Sequence, residues 1–291
     1  MLNKMQTVKL NNNVEMPQLG FGVFQMDDLA ICQQAVSDAI NAGYRLFDTA
    51  AIYGNEAAVG AAIKESGLAR DNFFITSKLW INDTQGKDAA VAIDQSLKNL
   101  GTDYLDLYLI HMPYGDSFNA WRAMEKAYHA GKIRAIGISN FSPDQVTNLT
   151  LFNEVKPAVN QLEVNPWNQQ STNVAFNQQQ GIQVEAWAPF AEGKGQLFAN
   201  PLLKDIAAAH GKTTGQVILR WLLQRGIVVI PKSTHVDRMK ENIAVFDFTL
   251  SNEEMMQINE LDTGQSQFFD SHDPTAIKTI VSGGRPGANE N

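Results

Sequence analysis

Short apolar runs alternate with longer stretches of helical periodicity along most of the chain. Runs rich in β-branched and aromatic residues lie at 44–47, 73–77, 104–110, 133–138, 159–162, 183–187 and 227–230. A weaker, glycine-containing run at 19–22 precedes them. Between the runs, apolar positions recur at three- and four-residue spacing, which predicts helices over about 28–41, 56–66, 87–99, 118–130, 143–152, 171–180 and 214–225. Alternating strand and helix imply a parallel sheet with helices outside. Eight such units in roughly 230 residues suit a closed (β/α)8 barrel, the TIM-barrel architecture. An open, doubly wound sheet is the alternative that periodicity leaves standing.

Punctuation agrees with this reading. Ser142-Pro143 offers a cap followed by proline at the first helical position. Gly43 and Gly131 follow predicted helices, where a left-handed residue is expected. Asn11-Asn12-Asn13 separates two short extended stretches, as in a β-hairpin placed before the barrel. The pattern fades after Asp262, and 282–291 reads as a mobile C-terminal tail. The expectation is one domain over 1–291.

Composition narrows the function classes. The chain has 23 basic and 31 acidic residues, a net charge of −8, with no long block of one sign. Nucleic-acid binders carry a basic excess or stripe, so that class is disfavoured. Cys32 is the only cysteine, which excludes an intrachain disulfide and a cysteine-built zinc site. The five histidines, 111, 129, 210, 235 and 272, form no pair at ligand spacing, and no metal is expected. The N-terminal MLNKMQTVKL has no apolar signal core, and the aliphatic run 227–230 is far too short to span a bilayer. The expectation is a cytoplasmic protein without membrane partners. No phosphate-binding or hydrolase motif is complete: Gly20 and Gly22 begin G-x-G-x-x-G, but Gln25 stands at the third glycine.

In a barrel of this kind the active site lies at the carboxyl ends of the strands. The polar residues expected there are Asp48, Tyr53, Lys78, His111, Ser139, Asn140, Gln161, Glu163 and Lys232, with Trp187 among them. Each alone has a structural reading: a turn-forming aspartate, a solvated lysine, a satisfied histidine, a packed aromatic. Their significance lies in convergence on one mouth.

All of these positions except Glu163 and Trp187 fall in six ordered motifs: Phe47-Asp48-Thr49-Ala50-Ala51-Ile52-Tyr53-Gly54-Asn55-Glu56, Ile75-Thr76-Ser77-Lys78-Leu79-Trp80, Asp106-Leu107-Tyr108-Leu109-Ile110-His111, Gly137-Ile138-Ser139-Asn140-Phe141, Val159-Asn160-Gln161 and Ile230-Pro231-Lys232-Ser233. In that order and spacing the chain resembles the aldo-keto reductases over about residues 5–270, and most closely their bacterial 2,5-diketo-D-gluconate reductase-like branch. Three positions depart from the family pattern: Asn165 precedes Pro166 where histidine is frequent, Ala188 follows Trp187 where serine is frequent, and Met112 follows His111 where tryptophan is usual.

The resemblance implies a monomeric oxidoreductase that reduces aldehydes, ketones or dicarbonyls to alcohols with NADPH. It makes Asp48, Tyr53, Lys78 and His111 the catalytic set. Hydride reduction of a carbonyl needs a proton for the oxygen. Tyr53 is the implied general acid, since a phenol with a pKa of about 10 holds its proton at neutral pH. Lys78, held by Asp48, is expected to lower that pKa, and His111 to orient the carbonyl oxygen. The implied cofactor contacts are Gly22, Val23 and Phe24; Ser139, Asn140 and Gln161 at the carboxamide; Trp187 stacked on nicotinamide, with Ala188, Pro189 and Phe190 beside it; Lys232, Ser233, Thr234 and Arg238 around the 2′-phosphate; and Glu241 and Asn242 at adenine. Phe24, Trp80, His111 and Met112 would bound the small-molecule carbonyl substrate.

Two competing readings belong to other classes. Glu163 and Glu185 on neighbouring strands could form the carboxyl pair of a glycosidase, although Glu185 lies deeper in its strand. A barrel can also serve as a binding or structural protein, but such a use does not require an intact Asp48–Tyr53–Lys78–His111 set.

Overall fold

A computed structural model describes residues 6–283 except Lys87. Of the tail expected at 282–291, Ser282 and Gly283 form a turn, and 284–291 lie outside the described residues.

The chain begins with a hairpin, β1 (Thr7–Lys9) and β2 (Glu15–Pro17), whose Val8 faces Met16 in antiparallel register. Asn13 takes the left-handed conformation (φ 69°) that the turn needs. Asn11 and Asn12 donate to the carbonyls of Pro157 and Arg134 at 2.8 and 2.9 Å. These carbonyls precede barrel strands, so the hairpin closes the end opposite the expected mouth. Leu10 and Met16 pack there with Leu46, Leu107, Val159 and Val228.

Eight parallel strands follow: β3 (Phe21–Gly22), β4 (Leu46–Asp48), β5 (Phe74–Leu79), β6 (Leu107–Ile110), β7 (Ile136–Ser139), β8 (Val159–Glu163), β9 (Gln183–Trp187) and β10 (Val228–Val229). They lie side by side in chain order. The two edges then meet: Leu19 bridges Val229, and Gly20 N–H donates to the Val229 carbonyl at 2.8 Å. This contact closes the barrel and excludes the open doubly wound sheet. It also explains why 19–22 is a weak strand signal. A Cβ on Gly20 would lie 2.1 Å from Leu46 Cδ2, so the seam has no room for the bulky residues that mark a strand.

Among the described residues eleven α-helices accompany the strands: α1 (Leu29–Ala42), α2 (Glu56–Glu65), α3 (Asp88–Leu100), α4 (Ser117–His129), α5 (Pro143–Leu151), α6 (Ser171–Gln179), α7 (Pro201–His210), α8 (Thr214–Gln224), α9 (Val236–Ile243), α10 (Asn252–Asn259) and α11 (Pro274–Val281). Seven match the predicted helices within a residue or two. Ser142 and Gln145 form a reciprocal capping box, and Gly43 ends α1 at φ 109°. Alternate strand residues face two ways. Leu46, Phe74, Leu107 and Leu109 join the cluster beneath the barrel, while Phe47, Ile75, Tyr108 and Ile110 join the one that includes helix residues. Among the described residues no helix is long and apolar enough to cross a membrane, and no group of three His, Cys, Asp or Glu side chains could hold a metal ion.

Candidate active site

Asp48 is the last residue of β4, and His111 follows β6 by one. Lys78 is inside β5, which runs to Leu79, two residues past the end that the sequence predicts. Tyr53 ends a single 3-10 turn, Ala51–Tyr53, in the loop after β4. The neighbouring residues explain why this loop holds still. Asn55 accepts from the Thr49 hydroxyl at 2.7 Å and donates to the Val23 carbonyl at 3.0 Å, which pins the loop to the strand beside it. Glu56 accepts from Ser77 at 2.6 Å and from Asn99 at 2.9 Å, tying the start of α2 to β5 and α3.

Lys78 is fully buried, and its ammonium has three acceptors: Asp48 Oδ1 at 2.6 Å, the Thr49 carbonyl at 3.0 Å and the Tyr53 hydroxyl oxygen at a long 3.5 Å. Burial disfavours its charge, but Asp48, Tyr53 and Glu185 more than offset this and hold the pKa above its ordinary value. Lys78 therefore stays cationic. Tyr53 differs from expectation. Lys78 does pull its pKa down, yet burial outweighs that pull, with Asp48 adding to it, and the net direction is up. Lys78 thus eases ionisation of the phenol without overcoming burial; it donates to the phenol oxygen and leaves the phenol proton uncommitted. His111 stands edge-on to Tyr53, 5.6 Å between ring centres, and to Trp80 at 5.1 Å. Burial and then Lys78 hold His111 well below its usual pKa, so the imidazole is neutral at pH 7. Among the described residues its Nδ1, which is buried, has no hydrogen-bond partner.

Gln161 sits beside this set. Its Nε2 donates to Asp48 Oδ2 at 2.9 Å and to Glu185 Oε2 at 2.7 Å. Ser139 donates to the Gln161 carbonyl at 3.0 Å. Asn140, at φ 64°, donates to Ser139 Oγ at 3.0 Å and accepts from Trp187 Nε1 at 2.9 Å. The expected carboxamide group is thus drawn together, but tied largely to itself. Trp187 also meets Phe268, 5.1 Å between ring centres, over which the Lys194 ammonium lies at 4.4 Å.

The outer cofactor residues lie around the β10–α9 junction. Lys232, Thr234 and Arg238 are exposed, and among the described residues neither cation is in an ion pair. Helix α9 starts at Val236 with His235 as its cap, so Thr234 precedes the helix rather than entering it. Ser233 accepts from the His235 N–H at 3.0 Å, and Asn242 is buried on the inner face of α9 near half-buried Glu241. Across the barrel seam beside this junction, Gly22 N–H donates to the Pro231 carbonyl at 3.3 Å. Val23 is fully buried with its N–H on the Asp48 carbonyl, so it braces the site from behind. Phe24 stacks obliquely on Tyr53 at 5.0 Å. Ala188 takes φ 45°, Pro189 is buried, and Phe190 packs on Phe198 at 5.4 Å.

Met112 was expected as an open wall of the substrate pocket. It is 5% exposed, enclosed by Ile81 and Ile280 with Trp80, Tyr114 and Phe269 around them. The C-terminal segment that the sequence pattern left unread covers it, held by the Tyr114 hydroxyl on the Ser271 carbonyl at 2.7 Å. Glu163 anchors the same segment through Ser266 Oγ at 2.5 Å and Gln267 N–H at 3.0 Å. Glu163 is engaged there and Glu185 is fully buried on Gln161, so no exposed carboxyl pair remains for the glycosidase reading. Asn165 accepts from the backbone of Trp167 and Asn168, both at 3.1 Å, and so builds the turn after β8. Sequence reasoning missed Phe268 and Phe269, which adjoin no motif, and Glu185 as a partner of Gln161. The alternation Glu185-Ala186-Trp187 was the available signal for the last.

The sequence profile of the Aldo/keto reductase family matches residues 18–263. A glyoxal reductase of Bacillus subtilis is 50% identical over 256 residues, 88% of this chain and 92% of its own. A morphine 6-dehydrogenase of Pseudomonas putida is 44% identical, covering 91% and 94%. Among solved structures, an aldo/keto reductase from Brucella melitensis is 44% identical with a TM-score of 0.86, over 89% of this chain and all of that one. An aldo-keto reductase of Bombyx mori, solved in complex with NADP, is 36% identical with a TM-score of 0.88, over 94% and 97%. With its barrel, its strand-end residues and these relatives in agreement, the chain belongs to the aldo/keto reductase family.

Proposed function

We propose that this protein reduces a carbonyl group of a small molecule to an alcohol with NADPH, and that Tyr53 is the general acid. The observation that carries the reading is the run from buried Asp48 and Lys78 to half-buried Tyr53, in which Lys78 donates to the Tyr53 oxygen and leaves the phenol proton available. Bound NADPH supplies the hydride to the carbonyl carbon. Tyr53 gives its proton to the carbonyl oxygen, and Lys78 stabilises the phenolate left behind until solvent returns a proton. Asp48 keeps the ammonium in place. His111, held neutral, can hydrogen-bond the carbonyl oxygen and fix its position.

The residues present fit the cofactor. Gln161 has both N–H groups engaged, which leaves its oxygen for the amide hydrogens of a carboxamide. Exposed Lys232 and Arg238, at the start of α9, suit a phosphate. Relatives that include a glyoxal reductase and an NADP complex support the same cofactor and carbonyl class here. The test is a panel of a small aldehyde, a ketone and an α-dicarbonyl, followed by loss of NADPH absorbance. Turnover of at least one is expected. NADPH binding without consumption for any of them would overturn the reading.

A further inference from the structure

Glu185 lies at the centre of β9 and is fully buried. Its Oε2 accepts from Gln161 Nε2, and the second hydrogen on that nitrogen goes to Asp48 Oδ2. A primary amide has two N–H donors and one oxygen. Here two acidic side chains, on β4 and β9, take both donors. Turning the amide over would set its oxygen against the Asp48 carboxylate and forfeit hydrogen bonds in a buried site, where an unmade bond is most costly.

We propose that Glu185 is a positioning residue: with Asp48 it locks the Gln161 amide, so that Gln161 meets a nicotinamide side group only as an acceptor and favours dinucleotides whose side group can donate. This deepens the NADPH reading and rests on it. The charged groups facing Glu185 are Asp48 and Lys78. Burial, and then Asp48, push Glu185 up to about 8. Near neutrality it therefore accepts from Gln161 without adding a second negative charge beside Asp48. An apolar side chain of similar length would fill the position without burying an acid. What it could not supply is the second acceptor.

The test compares equilibrium binding of NADP+ with that of its 3-acetylpyridine analogue, which keeps the carbonyl oxygen but has no N–H to donate. Fluorescence titration reads it without turnover. Wild type should bind NADP+ about 2- to 12-fold more tightly than the analogue, the range of one hydrogen bond. Glu185→Met, which removes the acceptor while keeping the length, should shrink that ratio at least twofold. Glu185→Gln, whose amide oxygen still accepts, should keep it. A purely structural role would weaken both dinucleotides alike and leave the ratio unchanged in Glu185→Met, which would overturn the proposal. So would a wild type with no preference, a result that does not depend on how the variants fold. Failure of wild type to bind either dinucleotide would instead remove the cofactor reading beneath it.

Discussion

At Lys78 and His111 the same burial acts on two cations with opposite outcomes. Lys78 has a carboxylate at 2.6 Å and keeps its charge; His111 has only Lys78 for a charged neighbour and gives its charge up. The histidine has a consequence for stability. Its pKa is depressed in the folded state, so between the unfolded value of about 6.5 and the folded value the unfolded chain binds the extra proton. Its contribution is complete above about pH 6.5 and is lost as pH falls below that, at no more than about 1.4 kcal/mol per pH unit. Denaturant titrations between pH 5 and 7 should show a shallower slope for His111→Asn than for wild type. Identical slopes would mean that His111 is not held neutral by the fold. Asp48, Tyr53, Lys78 and His111 were all legible in the sequence. The direction of the Tyr53 shift was not, because it depends on how much water the folded barrel removes, and no motif encodes that.

Among the elements, strands and central helices were legible because burial on both faces of a parallel sheet leaves unbroken apolar runs. Helices α7 and α9 to α11 were not read. Helix α9 buries little beyond Met239 and Asn242, and α11 little beyond Ala276 and Ile280, so neither carries a broad apolar face. Yet both shape the mouth. Through Ile280, α11 closes over Met112, and this changes what a substitution there would do. Met112→Trp should overpack the Ile81–Ile280 contact and cost about 1–3 kcal/mol of stability, measurable by urea unfolding. An unchanged midpoint would show that the pocket is open at Met112 after all. Helix α9 carries the phosphate prediction. Losing one charge-assisted hydrogen bond in Arg238→Ala should weaken NADPH binding by roughly 10- to 150-fold and NADH binding much less, read by titrating each cofactor. Equal losses for the two would show that Arg238 does not recognise the 2′-phosphate.

At the scale of the whole molecule, the barrel brings residues from distant parts of the chain to one mouth. Asp48 and Gln161 are 113 positions apart, yet their side chains are hydrogen-bonded. Alternation predicted this convergence, since closing a sheet of eight strands sets their carboxyl ends in a ring. Closure was expected from the count of eight units, which periodicity alone left open; it is made by a short seam in which Gln18, Gly20 and Gly22 exchange backbone hydrogen bonds with Val229 and Pro231. The central claim is that the ring exists to deliver a proton from Tyr53. Tyr53→Phe removes that hydroxyl and little else. The most direct measurement is its kcat for the best carbonyl of the panel, taken on the same preparation as a NADPH dissociation constant. The account predicts a fall in kcat of about 10²- to 10⁴-fold with NADPH affinity nearly unchanged. Turnover close to wild type, with cofactor still bound, would contradict it.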